Sequence, residues 1–255
     1  MMDPLWGLYS REVRRIYRNP FVLAITILQP FMWLGFYGLS FALAPPTFLS
    51  QFFGTSNYLA YLMPGVLSSS TLSTAVFGSM STIQDKRFGF LKRILLTPVS
   101  KTTVFLSKAL GSTTRGLIQF PVVAAAGIAF GVPLPSNPLV WLAWLLSLFL
   151  LGVGFTSVFL TVTASSTDRQ TPGVVANFIT LPLMFSSTAL LPQTLSSPFI
   201  VSISMVNPIT FSAKLGRAFV LGHAVPWLYF GYLFLFAGFF LIVGALVNQR
   251  WLRFE

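Results

Sequence analysis

The chain has 255 residues, of which 55% are hydrophobic and only 8% are charged, and its mean hydropathy is +0.78. A soluble domain of this length could not cover so much apolar surface, so the composition excludes a soluble globular protein and predicts one all-α polytopic membrane domain, residues 1–255. The net charge of +11 is divided among segments between apolar runs. We therefore expect no nucleic-acid partner, and the absence of cysteine excludes thiolate metal sites.

Residues 3–19 are predicted to form an amphipathic helix that lies on the membrane surface. Asp3 and Pro4 are typical of a helix start. Apolar residues share one face, and four basic residues project from the other: Arg11, Arg14, Arg15 and Arg18. Such a helix lies in the interface, with its arginines near anionic lipid headgroups. A plain membrane anchor and a helix that also contacts a partner protein are both consistent with this pattern.

Six apolar segments are long enough to cross a bilayer as helices. The predicted spans are 21–44, 58–81, 103–131, 138–164, 172–191 and 226–247. The second is rich in Ser, Thr and Gly, which favours close packing in the bundle or at a dimer interface, or a polar path. Lys108 and Arg115 lie in the first half of the third span. Because a charge at the bilayer centre costs about 2.5–3.5 kcal/mol, we expect that half to lie near the cytoplasmic surface or to face water.

The segment 192–225 differs from the spans. Ser197-Pro198 and Asn207-Pro208 each resemble a helix start and introduce apolar segments of about 9 and 14 residues, which reach only about 14 and 21 Å. Neither can cross a bilayer. We therefore predict a re-entrant pair of half-length helices between the fifth and sixth spans.

The distribution of basic residues predicts the orientation. With both termini cytoplasmic, fourteen of the sixteen Lys and Arg residues lie on the cytoplasmic side, in the N-terminal segment, residues 82–115, the loop 165–171 and the tail. Lys214 and Arg217, in the re-entrant segment, are placed outside. The sequence thus predicts a multi-pass protein of the plasma membrane with six spans and both termini in the cytoplasm.

The densest patch of charge lies between the second and third spans. At 100° per residue, Phe88, Leu91 and Leu95 share one stripe. Lys86 and Arg93 fall opposite. This pattern predicts a short amphipathic helix over 84–100, closed by Thr97-Pro98, at the membrane–water boundary. A polybasic loop that only fixes the topology is the alternative.

The same stretch, DKRFGFLKRILLTPVSK from Asp85 to Lys101, resembles the cytoplasmic loop of permease subunits of type-2 ATP-binding cassette (ABC) exporters. It is most similar to the drug-resistance branch, typified by the daunorubicin exporter permease. Ser187 stands where that family usually has Gly, and Lys214 where an acidic residue is common. The resemblance covers essentially the whole chain and includes a downstream pattern: Asn177-Phe178, Pro182, Ser186, Pro192, Pro198, Asn207-Pro208 and Arg217.

The resemblance implies the membrane subunit of an ATP-driven exporter for a hydrophobic or amphipathic substrate such as a drug, lipid, polyketide or polymer. It also implies two ABC ATPase subunits, which would bind ATP and Mg, and a second permease copy or a sister permease. The 84–100 helix would be the coupling helix, assisted by residues 3–19. The residues implied in coupling are Asp85, Lys86, Phe88, Gly89, Leu91, Lys92, Arg93, Leu95 and Pro98. The external re-entrant motif would comprise Asn207, Pro208, Lys214 and Arg217.

Nothing in the sequence predicts enzymatic chemistry in this chain itself. Its five carboxylates lie in or near loops or at the chain ends, and its one histidine, His223, has no neighbouring Cys or carboxylate. No G-x-x-x-x-G-K-[ST] motif occurs, so we expect the chain to bind no cofactor or metal and to depend on a separate ATPase. A channel or secondary carrier without an ATPase, or a non-transporting membrane assembly subunit, is the alternative.

Overall fold

The computed structural model describes residues 4–166 and 170–251. Over these residues the chain forms twelve α-helices and one 3-10 turn, Gln193–Leu195. The helices are α1 Pro4–Tyr17, α2 Pro20–Ser40, α3 Pro46–Phe53, α4 Tyr58–Arg87, α5 Phe90–Leu95, α6 Lys101–Leu117, α7 Gln119–Ala129, α8 Pro138–Ser165, α9 Thr171–Phe185, α10 Pro198–Ser204, α11 Pro208–Leu221 and α12 Leu228–Trp251. The predicted charged loop at 168–169 and most of the basic tail lie outside the described residues.

Three described helices are long and apolar enough to cross a membrane: α2, α8 and residues 228–249 of α12. Helices α10 and α11 satisfy the same condition together but are bent by 83°, which makes a fourth candidate if the pair is one broken span. The other predicted spans, 58–81, 103–131 and 172–191, correspond to α4, to α6 with α7, and to α9. The described part therefore contains three or four candidate spans, and the multi-pass membrane class is confirmed.

Asparagine residues begin four of these helices. The side-chain oxygens of Asn19, Asn57, Asn137 and Asn207 each accept a hydrogen bond from a backbone N–H in the first turn of α2, α4, α8 and α11. Three of them are followed by proline at the first helical position, where a missing N–H costs nothing. These local signals explain why the starts of the helices were predictable.

Helix α8 lies at the centre of the bundle, packed against α4, α6, α11 and α12. The Ser/Thr-rich face of α4 is buried within the bundle, as the prediction of close packing required. Its Gly65 lies so near Ala189 that an added Cβ would come within 1.8 Å of the Ala189 carbonyl oxygen. Small side chains thus allow α4 to contact the segment after α9 directly.

Three boundaries differ from the sequence-based prediction. The connection 45–57 contains helix α3, which packs Phe53 against the rings of Phe41 and Tyr58. The third predicted span is divided at Ile118 into α6 and α7. The predicted helix 84–100 is divided as well, with α4 extending to Arg87 and only Phe90–Leu95 forming α5.

Candidate functional site

The turn between α4 and α5 is made by Phe88 and Gly89. Gly89 has φ 68°, a left-handed conformation that glycine adopts without the steric cost of a Cβ. The chain leaves α5 through exposed Thr97 and Pro98, and α6 begins at a Ser100 cap whose hydroxyl accepts a hydrogen bond from the Thr103 N–H. A break at Gly89 was not predicted, and it places the residues before and after it on different faces.

The inner face of α5 is apolar and buried. Leu91 and Ile94 pack with Val104 of α6, and the partly buried Leu8 of α1 joins them. Phe88 is 72% exposed, because it precedes the turn at Gly89. The predicted stripe is therefore wrong in placing Phe88 beside Leu91 on one face.

Beneath α5 lies a cluster of charged side chains that joins α1, α4 and α6. The buried Asp85 carboxylate is bonded to the Lys108 ammonium group through Oδ2, and its Oδ1 accepts hydrogen bonds from Arg11 and Arg15, each at 3.3 Å. Glu12 Oε1 lies 3.4 Å from Lys108 Nζ and 3.0 Å from Arg11 Nη1. Asp85, which the resemblance implies in coupling, is therefore buried and paired with cations on α1 and α6.

The ionisation of Asp85 follows from these neighbours. Burial acts to raise the pKa of its carboxyl group, but Lys108 and Arg11 together outweigh burial and hold that pKa below its usual value. Asp85 is therefore charged at neutral pH. The carboxylates were expected in or near loops or at the chain ends, but this one is buried as half of an ion pair.

Lys86, the next residue, connects α4 to α8. Its Nζ donates hydrogen bonds to the carbonyl oxygens of Thr163 and Ala164, at 3.1 and 3.0 Å. These carbonyls lie in the last turn of α8, where helices have unpaired acceptors and favour a cation. Burial lowers the pKa of the Lys86 ammonium group. The end of α4 is thus tied to the central helix.

We call the charged cluster around Asp85, together with α5 packed over it, the junction of α1, α4, α5 and α6. The side of α5 that faces away from the cluster is exposed. We call Phe88, Arg93, Leu96 and Pro98 the outer α5 surface; all four are exposed, and Leu96 is 82% exposed. The side chains of Lys92 and Leu95 lie outside the described residues. The surface combines apolar and basic groups on a short helix whose inner face is buried, which is suited to contact with another protein.

The four arginines of residues 11–18, three on α1 and one just after it, divide into two pairs. Arg11 and Arg15 point into the junction, where Arg15 Nη2 also donates to Gln84 Oε1 at 2.6 Å and the Arg11 guanidinium lies 3.4 Å from the centre of the Phe90 ring. Arg14 and Arg18 are exposed. Two of the four arginines therefore bind this segment to the bundle, and the other two are accessible from outside it.

In the predicted external re-entrant motif, the side chain of Arg217 is buried. Its Nε donates to the Tyr61 carbonyl oxygen at 3.0 Å, and Nη2 donates to the carbonyl oxygens of Ala189, at 3.0 Å, and Thr188. The guanidinium carbon also lies 3.6 Å from the centre of the Tyr61 ring. Arg217 fastens α11 to α4 and to the segment after α9.

The other residues of that motif have structural contacts of their own. Asn207 caps α11 and donates from Nδ2 to the Leu183 carbonyl oxygen at 2.7 Å, while Pro208 is the first residue of α11 and is buried. Lys214 is half-buried, and its Nζ donates to Gln193 Oε1 at 3.3 Å. The motif thus fixes the bend between α10 and α11.

Comparison with known proteins identifies the family of this chain. The model of the ABC-2 type transporter family matches residues 4–221. The chain belongs to that family. It is 30% identical over 244 residues to the transport permease ycf38 of Cyanophora paradoxa, covering 95% of this chain and 82% of that protein.

Two further relatives carry names that bear on its role. The chain is 25% identical over 257 residues to the inner membrane transport permease YadH of Escherichia coli K12, covering 98% of both chains. It is 21% identical over 164 residues to DrrC of Mycobacterium tuberculosis, named as a doxorubicin resistance ABC transporter permease protein, covering 64% of this chain and 59% of that one. The similarity to type-2 ABC exporter permeases is confirmed.

Two residues of this ABC-2 transporter's junction were missed in the sequence. Glu12 and Lys108 complete the charged cluster around Asp85. The available signal was Lys108 itself, because a cation in an apolar helix needs a partner, and Asp85 is the nearest acidic residue along the chain. Across residues 4–166 and 170–251, no group of three or more His, Cys, Asp or Glu side chains could hold a metal ion.

Proposed function

We propose that the protein is the permease subunit of an ATP-driven ABC exporter for a hydrophobic or amphipathic substrate. Membership of the ABC-2 type transporter family and similarity to two transport permeases support the transport role. The relative named for doxorubicin resistance supports an amphipathic substrate and export. A separate ATPase would bind ATP and Mg, and two ATPase subunits would act with this permease and a second copy or a sister permease.

We propose six spans with both termini in the cytoplasm. In this topology α2, α4, α6 with α7, α8, α9 and α12 each cross the membrane, and α10 with α11 forms the external re-entrant pair. Among the described residues, the exposed basic side chains lie at the end of the bundle that holds α5: Arg14 on α1, Arg18 just after α1 and Arg93 on α5. The positive-inside rule supports placing this end of the bundle in the cytoplasm.

The observation that carries the proposal is the construction of the junction at α5. An exposed surface, Phe88 with Arg93, lies directly above the buried Leu91 and the Asp85 cluster. An ATPase that binds the outer α5 surface would therefore act on a unit already packed against α1 and α6. A loop that only fixed the topology would require lysines and arginines. It would not require the buried contacts of Leu91 and the Asp85 cluster beneath the outer α5 surface.

Movement of α5 would reach the substrate path through two connections. One is the Asp85–Lys108 pair, which links the end of α4 to α6. The other is Lys86, which links it to the last turn of α8 at the centre of the bundle. In the proposed mechanism, ATP-driven closure of the ATPase pair displaces α5 and α1. The displacement of α4, α6 and α8 then moves the bundle from inward-open to outward-open.

The test is co-reconstitution of the permease with its ABC ATPase partner, measured by pull-down, ATP turnover and transport. Phe88→Ser and Arg93→Glu should weaken binding of the ATPase, because they remove apolar contact or reverse charge on the outer α5 surface. Phe130→Ser is the matched control, since Phe130 is also exposed and lies at the opposite end of the bundle, beside Gly131, whose carbonyl oxygen accepts from Asn57.

Leu91→Ser separates binding from coupling. The substitution leaves the outer α5 surface intact but places a hydroxyl in the buried contact with Val104, which costs apolar packing and leaves a polar group poorly paired. ATPase binding should persist while substrate-stimulated turnover and transport fall together. If Phe88→Ser, Arg93→Glu and Leu91→Ser all behave like the parent, the coupling role is wrong. Transport without ATPase would identify a carrier or channel, and binding without substrate-stimulated turnover would identify an assembly subunit.

A further inference from the structure

A cavity of about 350 Å³ opens between α1, α2, α4 and α6, beside the charged junction. This volume is at the lower end of the range typical of small-ligand sites, roughly 300–1,000 Å³. Its wall holds three basic side chains and one carboxylate, that of Glu12, which pairs with Lys108, and the rest of the wall is polar or apolar. The lining that matters for the argument is Arg15, Val22, Phe77, Ser81, Lys108 and Arg115.

Arg115 is the group in this wall whose charge is not balanced. Its Nε and Nη2 both donate to the hydroxyl oxygen of Thr26, at 3.2 and 2.9 Å. Thr26 is neutral and itself donates to the Val22 carbonyl oxygen at 2.7 Å. Within the described ranges no carboxylate lies within ion-pair distance of Arg115, whereas Arg15 and Lys108 both pair with Asp85.

The cavity lies at the membrane–water boundary. Two of its lining residues, Asn19 and Val22, are the cap and the first turn of α2, which is a candidate span. Helix α2 also carries an exposed apolar face, with Phe21, Ile25 and Leu28 on it, and Phe21 directly precedes the lining residue Val22. An unbalanced cation is costly at this depth and favours an anionic partner, and the adjacent apolar face favours hydrocarbon.

We propose that this cavity binds the anionic headgroup of a membrane phospholipid. Arg115 donates its free N–H groups to the headgroup phosphate, Arg15 and Lys108 add positive potential, and the acyl chains lie along the exposed face of α2. Charge-assisted hydrogen bonds from arginine to phosphate are among the stronger polar contacts in proteins. The proposal goes beyond the permease role and holds whether or not an ATPase drives transport.

The test measures lipid binding by the purified chain in neutral detergent, by native mass spectrometry, with phosphatidylglycerol and phosphatidylcholine. One phosphatidylglycerol should bind in preference to phosphatidylcholine. Arg115→Gln should weaken that binding by about tenfold or more, since it removes charge-assisted hydrogen bonds to the phosphate. Arg115→Lys should largely restore it, and Arg14→Gln, with the same charge change at an exposed site, should leave it unchanged.

A second variant tests the cavity without altering charge. Ser81→Leu would fill part of it and should reduce phosphatidylglycerol binding while every cation remains. This variant decides the question even if Arg115→Gln fails to fold. Equal binding of the two lipids, equal loss in Arg14→Gln and Arg115→Gln, or full binding in Ser81→Leu would overturn the proposal. Inorganic phosphate that competes as well as the lipid at equal concentration would show a small-anion site and reject a lipid ligand.

Discussion

The carboxylate of Asp85 and the ammonium group of Lys108 form a buried ion pair that joins the end of α4 to α6, and each side chain is only 6% exposed. Two arginines of α1 reach the same carboxylate. The carboxylate of Asp85 therefore connects three helices, α1, α4 and α6, that are distant in sequence. Loss of that charge would leave a buried cation without its main partner.

We predict that Asp85→Asn lowers the free energy of unfolding by about 3 kcal/mol, because removing one partner of a buried pair leaves the other charge uncompensated. Thermal unfolding of the purified chain in detergent, followed by tryptophan fluorescence, measures the change. Glu12→Gln is the control, since Glu12 lies 3.4 Å from Lys108 and leaves the Asp85 contact intact. A loss no larger for Asp85→Asn than for Glu12→Gln would contradict a central role for Asp85.

The pH dependence of stability follows from the same pair. The pKa of Asp85 in the folded chain is below its usual value of 3.8, so the carboxylate's contribution is complete above that pH and is lost as pH falls through the folded pKa. The part of the unfolding free energy due to Asp85 should thus be constant from neutral pH down to about pH 5. It should disappear in more acidic solution, and the difference between parent and Asp85→Asn should shrink there.

Gly89 provides a test of the turn that positions α5. Both Gly89 and Gly54 have left-handed φ values, 68° and 71°, and a Cβ atom added at either position would meet no other atom within 4 Å. Ala at either position should cost about 1 kcal/mol through backbone strain alone. The two variants should therefore lose similar stability in thermal unfolding. Only Gly89→Ala should also reduce ATPase stimulation. If Gly54→Ala reduced stimulation equally, the loss would follow from lower stability and not from a changed position of α5.

Local signals predicted the helix starts because they act over two or three residues. Asn19-Pro20, Asn137-Pro138 and Asn207-Pro208 supply both a cap and a preset φ, and each begins a helix where expected. Apolar length predicted the central α8 and the terminal α12 in the same way. In each case the necessary information lies within one segment of the chain.

The direction in which charged side chains point could not be predicted, because it depends on partners far along the chain. Asp85 and Lys108 are 23 residues apart, and Arg11 and Asp85 are 74 apart. Periodicity placed Lys86 and Arg93 opposite the apolar stripe but gave no partner for Asp85, whose cations lie on two other helices. The burial of Arg217 could not be predicted for the same reason, since its acceptors, such as the Tyr61 carbonyl oxygen, are backbone atoms that no sequence pattern reveals.

The burial of Arg217 determines how the proposed topology can be tested. A cysteine at 217 would be inaccessible from either side, because the guanidinium it replaces is enclosed by α4 and the segment after α9. His223 is exposed just beyond α11, and Arg93 is exposed on α5 at the other end of the bundle. The chain has no cysteine of its own, so single cysteines at these positions give an unambiguous signal.

We predict that His223→Cys reacts with a membrane-impermeant thiol reagent on intact cells and that Arg93→Cys reacts only after the membrane is opened. Lys214→Cys should react from outside more slowly than His223→Cys, because Lys214 is half-buried beside Gln193. Gel-shift labelling before and after permeabilisation measures all three. Labelling of position 93 on intact cells would show that the bundle has the opposite orientation. The outer α5 surface would then lie outside the cell, where no cytoplasmic ATPase could bind it.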